Sequence, residues 1–266
     1  MFPSKTAVIS GGAGGVTFSN NFSIKCDGAT NYLSINNTFQ DIIRTDAFSI
    51  GFWAKPGDGQ PPGGTNLHFF GTREIDNTTG SRIGMFINGT TGKFDGKIAV
   101  TLDSEDTGTQ YWVDGGTTFA DGEPSDFAHF LVTITEGKIV VYKDGSLLTP
   151  LGPPLDGDIS SLDLTQWTCS ENMALMARNE DGTIEEFMAG YMDEFAVYGE
   201  ALSSDDALEI YNSGTPSDLT SLSAPKPIVW WRFEEGTGTT ANDYDGNSSY
   251  VGTMHPSGMW SPHVPG

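Results

Sequence analysis

Positive charge is scarce in this chain of 266 residues: Lys and Arg number 13 against 35 Asp and Glu, for a formal net charge of −22. Clusters of basic side chains that grip phosphates or anionic headgroups cannot be assembled from so few, which excludes non-specific nucleic-acid binding and adhesion to anionic membranes. No apolar run approaches the roughly 20 residues of a bilayer-spanning helix. The opening stretch, residues 1–16, lacks the charged, apolar and small-residue order of a secretion signal, so no routing by such a signal is expected. Cysteine is nearly missing. Cys26 and Cys169 are the only two, too few and too far apart for a zinc site, and either two buried thiols or one long-range disulfide is compatible with the sequence.

What the chain does contain is turn chemistry. Gly 34 and Pro 14 leave little room for long helices, and a hydrophobic fraction of 37% is low for a globular protein but above that of a disordered one. Phe48 to Ala54 alternates large with small side chains and stops at the breaker cluster Lys55 to Gly59, the pattern of a half-buried strand. Phe130–Ile134 and Lys138–Tyr142 flank Thr135-Glu136-Gly137 as a hairpin, and Asp144-Gly145 is a second hairpin signal. Ser81 to Ile87 and Gly96 to Leu102 read as a strand pair turning at Asn88-Gly89. Strands recurring at this rate predict an all-β sandwich.

One helix is expected. Ser203 or Ser204 caps it, Asp205 and Asp206 occupy its first turn, and Asn212-Ser213-Gly214 ends it, with Ala207, Leu208 and Tyr211 on one face. A linker over 215–227 follows, and Ile228 to Phe233 opens a new strand. The segment 1–20, glycine-rich and nearly devoid of large apolar side chains, reads as an N-terminal arm that gains order only against a partner.

The block Tyr191 to Tyr198 with its Asp193-Glu194, then Ala201-Leu202-Ser203 and Ile210 to Gly214, resembles the end of a laminin-G-like, concanavalin-A-like jelly roll. Cys26 to Leu33 with Phe48 to Pro56, and His129 to Gly145, resemble earlier parts of the same pattern. In most relatives the segment resembling Trp230 to Thr240, with Asp245-Gly246-Asn247, opens the domain, whereas here it closes the chain. The resemblance thus implies an all-β concanavalin-A-like jelly roll with one short helix and a permuted C-terminal strand. The corresponding organisation is an arm over 1–20, a jelly roll over 21–214, a linker over 215–227, and a final segment, 228–266, completing the same sandwich. Residues 228–233 should pair antiparallel with residues 192–198. The late placement resembles laminin-G-like proteins encoded by bacteriophages.

Within that superfamily, glycoside hydrolases use a strand reading Glu-x-Asp-x-x-Glu, whose alternation sets the acids on one face. Glu74-Ile75-Asp76 begins the motif and Asn77-Thr78-Thr79-Gly80 breaks it. The pairs within Asp103 to Asp106 and at Glu185-Glu186 read as solvated surface. None of His68, His129, His255 and His263 accompanies a Ser in a Gly-x-Ser-x-Gly elbow, and Gly11 to Gly15 lacks the Lys-Ser/Thr of a phosphate loop. No catalytic residues are assigned. The resemblance implies a structural calcium ion where the permuted segment meets the Asp of the closing strand. That nominates Asp193, Glu234, Glu235, Gly236 and Gly238 as ligands, against the alternative that Asp193 only accepts hydrogen bonds from nearby amides. Tyr111, Trp112, Trp167 and Trp260, in polar, turn-rich surroundings, are the candidates for stacking on sugars.

The expected function is a non-enzymatic binding or structural module on an assembled particle, a bacteriophage virion, partnered by other virion proteins or its own copies, with a host surface glycan as a further ligand. A bacterial carbohydrate-binding module at the cell surface is the alternative, and a degenerate glycoside hydrolase the third reading.

Overall fold

The computed structural model describes residues 18–36, 42, 47–57, 66–74, 82–90, 93–103, 110–114, 126–135, 137–150, 164–167 and 169–266. For 88–90, 93–103, 110–114, 150 and 166 it is the backbone that is described. The first seventeen residues, hence most of the expected arm, lie outside this set.

Nineteen strands build two sheets. The first has eight: β1 (Ser23–Asp27), β3 (Ala47–Pro56), β8 (Ala128–Thr135), β9 (Lys138–Lys143), β10 (Ser146–Leu147), β15 (Ala189–Tyr198), β16 (Val229–Trp231) and β19 (Trp260–Ser261). They run in the order β10-β9-β8-β3-β15-β1-β19, with β16 also on β15. The second sheet has eleven strands. Its path is β11 (Thr149–Pro150), β7 (Gln110–Asp114), β6 (Lys93–Asp103), β5 (Arg82–Thr90), β4 (Asn66–Arg73), β12 (Met173–Leu175), β2 (Tyr32–Ile35), β18 (Val251–His255) and β17 (Thr240–Asn242). The short β13 (Arg178–Glu180) and β14 (Thr183–Glu185) attach to it through β4. This is the sandwich expected from the turn-dense composition.

The main core lies between the sheets. Phe52 is fully buried and sits within 6 Å of the rings of Phe69, Phe70, Phe130 and Phe195. Phe52, Phe130 and Phe195 come from the inward half of alternating strands, and the adjacent Phe69 and Phe70 both reach the core at the irregularity between His68 and Phe70. A second cluster lies outside the first sheet, where Leu131, Ala196, Tyr198 and Trp230 are covered by Ile210 and Leu219. Its cover is the helix α1 (Ser204–Tyr211) and the chain that follows.

That helix starts as expected: Ser203 accepts a hydrogen bond from the Asp206 amide while Asp206 reaches back to the Ser203 N–H, a capping box. Asn212, in the left-handed region, ends it. The face differs from the expected one. Ala207 and Ile210 are buried, whereas Leu208 is 61% exposed, because the helix rests on the sheet along an i, i+3 edge. The hairpin β5–β6 also differs. Asn88-Gly89 lies inside β5, beyond an irregularity after Ile87, and the ladder continues to Thr90↔Lys93, so Asn88-Gly89 is not the turn; residues 91–92 lie outside the described set. Asp144 and Gly145, both with positive φ, do form the expected tight turn between β9 and β10.

The C-terminal segment is part of the sandwich. β16 runs antiparallel to β15 with Phe195↔Trp231 and Val197↔Val229 in register, as expected. β18 and β17 extend the second sheet beside β2, and β19 joins the first sheet beside β1. Cys26 and Cys169 are both free and buried, and burial raises both thiol pKa values.

Candidate functional site

Strand β15 carries a bulge between Asp193 and Ala196, where three residues span two of β3. Glu194 takes a positive φ there, so two successive acids both leave the core side. Asp193 is fully buried. Its Oδ2 accepts from the Asn20 amide at 3.0 Å and its Oδ1 from the Glu194 backbone N–H at 2.9 Å. Glu194 accepts from the Trp230 indole at 2.6 Å and faces Arg232 at 3.5 Å. Burial, reinforced by the neighbouring Glu194 charge, holds the Asp193 pKa well above the usual carboxylate value, and burial pushes Glu194 up to about 8.

Six further contacts make this a latch on the N-terminal segment. Glu234 accepts from the backbone N–H groups of Asn21 and Phe22 and from the Asn21 side chain. Arg232 donates to the Ser19 carbonyl, and its guanidinium lies 4.3 Å from the Phe18 ring centroid. Phe18 stacks on Trp230 at 6.4 Å. Residues 18–20, the end of the expected arm, are thus tied to this domain.

Of the nominated calcium ligands, the fold brings Asp193 and Glu234 to this latch. Glu235 turns to Asn242, from which it accepts two bonds, and the Gly238 carbonyl accepts from the Trp260 indole at 3.1 Å. Gly236 is held at positive φ with Phe22 where a Cβ would stand. Among the described residues no group of three or more His, Cys, Asp or Glu is arranged to hold a metal. An ion that takes six to eight oxygens does not fit these five residues as a set. Asp193 and Glu234 instead hold residues 20–22 by hydrogen bonds, while Glu235 holds Asn242 and the Gly238 carbonyl holds the Trp260 indole.

The sugar candidates also separate. Trp167 is 1% exposed within the main core, so it presents no face to a ligand. Trp260 is half-buried against the core. Tyr111 and Trp112 lie on β7, and their side chains are outside the described set. Register places Tyr111 opposite Val100 and, through it, Met85, whose side chain is in the core. Trp112 is in register with Ala99 and, through it, Phe86 and His68.

The outer face of the second sheet is the candidate binding face. Ser34, Ala174, Gly71 and Gly84 are consecutive partners across β2, β12, β4 and β5, making a floor of small residues. Over it lies the His68 ring, which a Cβ at Gly71 would meet at 2.8 Å. His68 stacks on Phe86 at 4.8 Å and pairs through Nδ1 with Glu186 at 3.0 Å. Burial, opposed by the neighbouring Glu186, lowers the His68 pKa. Arg178 ties Glu180, Glu185 and Glu186 together. Glu185-Glu186 is thus part of a charged network, not the solvated pair expected from sequence. At the other end of the floor Tyr32 stacks on His255 at 4.7 Å with an interplanar angle of 10°, and Phe187 meets Tyr32 edge-on. Neither His68–Glu186 nor Tyr32–His255 was selected from sequence. Their only trace there is an outward position in an alternating strand, and the pairing requires the register.

A family model described as the concanavalin A-like lectin/glucanases superfamily matches residues 27–207. The chain belongs to this superfamily. Among solved structures, this lectin/glucanase sandwich is similar to a candidate carbohydrate-binding protein from Bacteroides ovatus, with TM-score 0.56, 14% identity, and coverage of 94% of this chain and 62% of that one. The chain thus spans less than two thirds of that protein's length. It is also similar to the CBM40 of a Ruminococcus gnavus IT-sialidase bound to α2,3-sialyllactose (TM-score 0.49, 14% identity, 71% of this chain, 96% of that one). A heptameric SAP-like pentraxin from Limulus polyphemus follows at TM-score 0.44, with 13% identity, 72% of this chain and 82% of that one. At such identities the likeness is one of fold. No curated protein matches the chain in sequence.

Proposed function

We propose that this chain is a non-enzymatic, glycan-binding module whose ligand lies across the outer face of the second sheet. The observation that carries the reading is the pairing of a small-residue floor, Ser34 to Gly84, with the outward rings of Tyr32 and His255 at one end and Glu186 and Arg178 at the other. Rings supply a flat apolar surface for a pyranose face, and charged or amide groups supply directional bonds to hydroxyls. The cavity beside His68 has room for about one water molecule, so a saccharide lies over the face, not within it. Support from the superfamily and from the Bacteroides ovatus fold relative, described as carbohydrate binding, points the same way.

The module's setting is a particle or cell surface. The late position of the strand Val229–Trp231, which seals β15, favours the bacteriophage reading, with copies of this chain or other virion proteins as partners. Mass spectrometry of purified virions tests that setting. A glycan array tests binding: wild type retains at least one neutral oligosaccharide, and Tyr32→Ala and Glu186→Gln each weaken it about tenfold. An array without hits, or hits untouched by both substitutions, overturns the reading.

A further inference from the structure

The outer face of the first sheet holds an aromatic and cationic cluster distant in the ladder from α1. Lys25, Tyr191 and Lys55 are consecutive cross-strand partners on β1, β15 and β3. Ile24, Cys26 and Met192 beside them point into the core, so alternation turns the row outward. The Lys25 and Lys55 ammonium groups lie 5.4 and 5.9 Å from the Tyr191 ring centroid. The His263 ring, from the C-terminal segment, lies 4.8 Å from Tyr191 and 5.5 Å from Phe127, and Lys55 donates to its Nε2 at 3.0 Å. Three rings and two ammonium groups thus meet in one place.

Charge makes the cluster unusual. In a chain with 35 acids and 13 Lys and Arg, Lys25 is exposed and makes no ion pair among the described residues. Asp27, two residues along the same face, is spent on its own turn, accepting from the amides of Ala29, Thr30 and Asn31 and from the Thr30 hydroxyl. Asp126 stands exposed before Phe127, at the end of the row away from Lys25.

We propose that this row is a second saccharide site, selective for sugars that carry a carboxylate. It rests on the reading of the chain as a glycan-binding module and adds a ligand class and a location. The carboxylate meets the exposed ammonium group of Lys25, the buried Lys55, bonded to His263, adds positive charge beneath the row, and the sugar's apolar face lies on the rings of Phe127 and His263. The strong negative charge elsewhere repels such ligands and confines them to this row.

The test is calorimetry with a tetragalacturonide and with its methyl ester, which has the same ring faces without the charge. Wild type should bind the acid at least about tenfold more tightly than the ester, and less tightly as salt rises. Lys25→Gln, at an exposed position, should weaken the acid about fivefold with an unchanged melting temperature. Tyr32→Ala, on the other sheet, should leave acid binding intact. Equal binding of acid and ester, no binding of either, indifference to Lys25→Gln, or competition by sulfate as effective as by the oligomer would each overturn the proposal. Loss of neutral-glycan binding in Tyr32→Ala alongside intact acid binding separates this site from the one on the second sheet. If instead the array finds no neutral ligand while Lys25 still controls acid binding, the earlier reading fails and this one stands.

Discussion

The first sheet's outer face has two halves built from the same strands. In one, Trp53, Leu131, Ala196 and Tyr198 are buried beneath α1 and the chain after it. In the other, Lys25, Tyr191 and Phe127 stay open to solvent in whole or part. Alternation along β3 and β15 is identical in both, so strand pattern alone does not distinguish them. The difference is cover. The covered half has become a second core and encloses groups that dislike enclosure, Glu194 and His129, whereas the open half keeps Lys25 hydrated. Covering a face adds stability and pH sensitivity together; leaving it open retains a surface for ligands.

The largest expected contrast comes from removing the covered half's biggest side chain. Trp230 is 1% exposed and holds Glu194 through its indole, so Trp230→Ala should cost about 3–5 kcal/mol in urea denaturation. A loss below about 1 kcal/mol would mean that the second cluster adds little to folding. Next is Arg232→Met, which leaves Glu194 without its guanidinium. A buried charge stripped of its partner costs about 3 kcal/mol. The Glu194 pKa in the folded protein is about 8, above the ordinary value, so its contribution is fully present below the unfolded pKa and is lost as pH rises toward 8. The cost of Arg232→Met should therefore be greater at pH 9 than at pH 5, and an equal cost at both would remove Glu194 from the explanation.

His129 titrates in the opposite sense. Burial lowers its pKa to about 3, so the unfolded chain takes up a proton that the folded one refuses. Stability should fall by about 1.4 kcal/mol per pH unit as pH drops from about 6.5 toward 3, and His129→Gln should flatten that slope. In the open half the expected effect on folding is small: Lys25→Gln should change stability by less than about 0.5 kcal/mol, and a larger loss would show that the row is a structural element. The smallest change is expected from chelator. With Asp193 and Glu234 engaged by residues 20–22, the melting temperature should not move, and a drop restored by calcium would put an ion at Asp193.

Much of the architecture was legible in advance because it depends on short-range pattern. The strand over Phe48 to Ala54, the Asp144-Gly145 turn and the Ser203 cap each act within a few residues and form where expected, although β3 runs on through Lys55 and Pro56 and is buried on both faces where a half-buried strand was expected. Errors arose where a choice depended on a neighbour far along the chain. Leu208 and Ile210 both suit an apolar stripe, and only the tilt of the helix on the sheet selects Ile210. Trp167 has polar neighbours in sequence and apolar ones in space. Asp193 and Glu234 were paired from a resemblance, and they do meet, but around residues 18–22. The two candidate binding faces were hardly legible, since Lys25, Tyr191 and His263, or Tyr32 and His255, come from segments far apart along the chain.

The sequence by itself determined the class of the molecule: glycine and proline density forced short strands, alternation forced a sandwich, and an excess of 22 negative charges excluded polyanionic partners from most of its surface. Tertiary structure alone decided which outward residues become neighbours. Side chains repeat every two residues along a strand, so local pattern says only that a residue faces out, while the row it joins depends on the register of strands that meet after the chain has closed on itself. For that reason the lysine pair around Tyr191, the His68–Glu186 contact and the latch on residues 18–22 are properties of the fold.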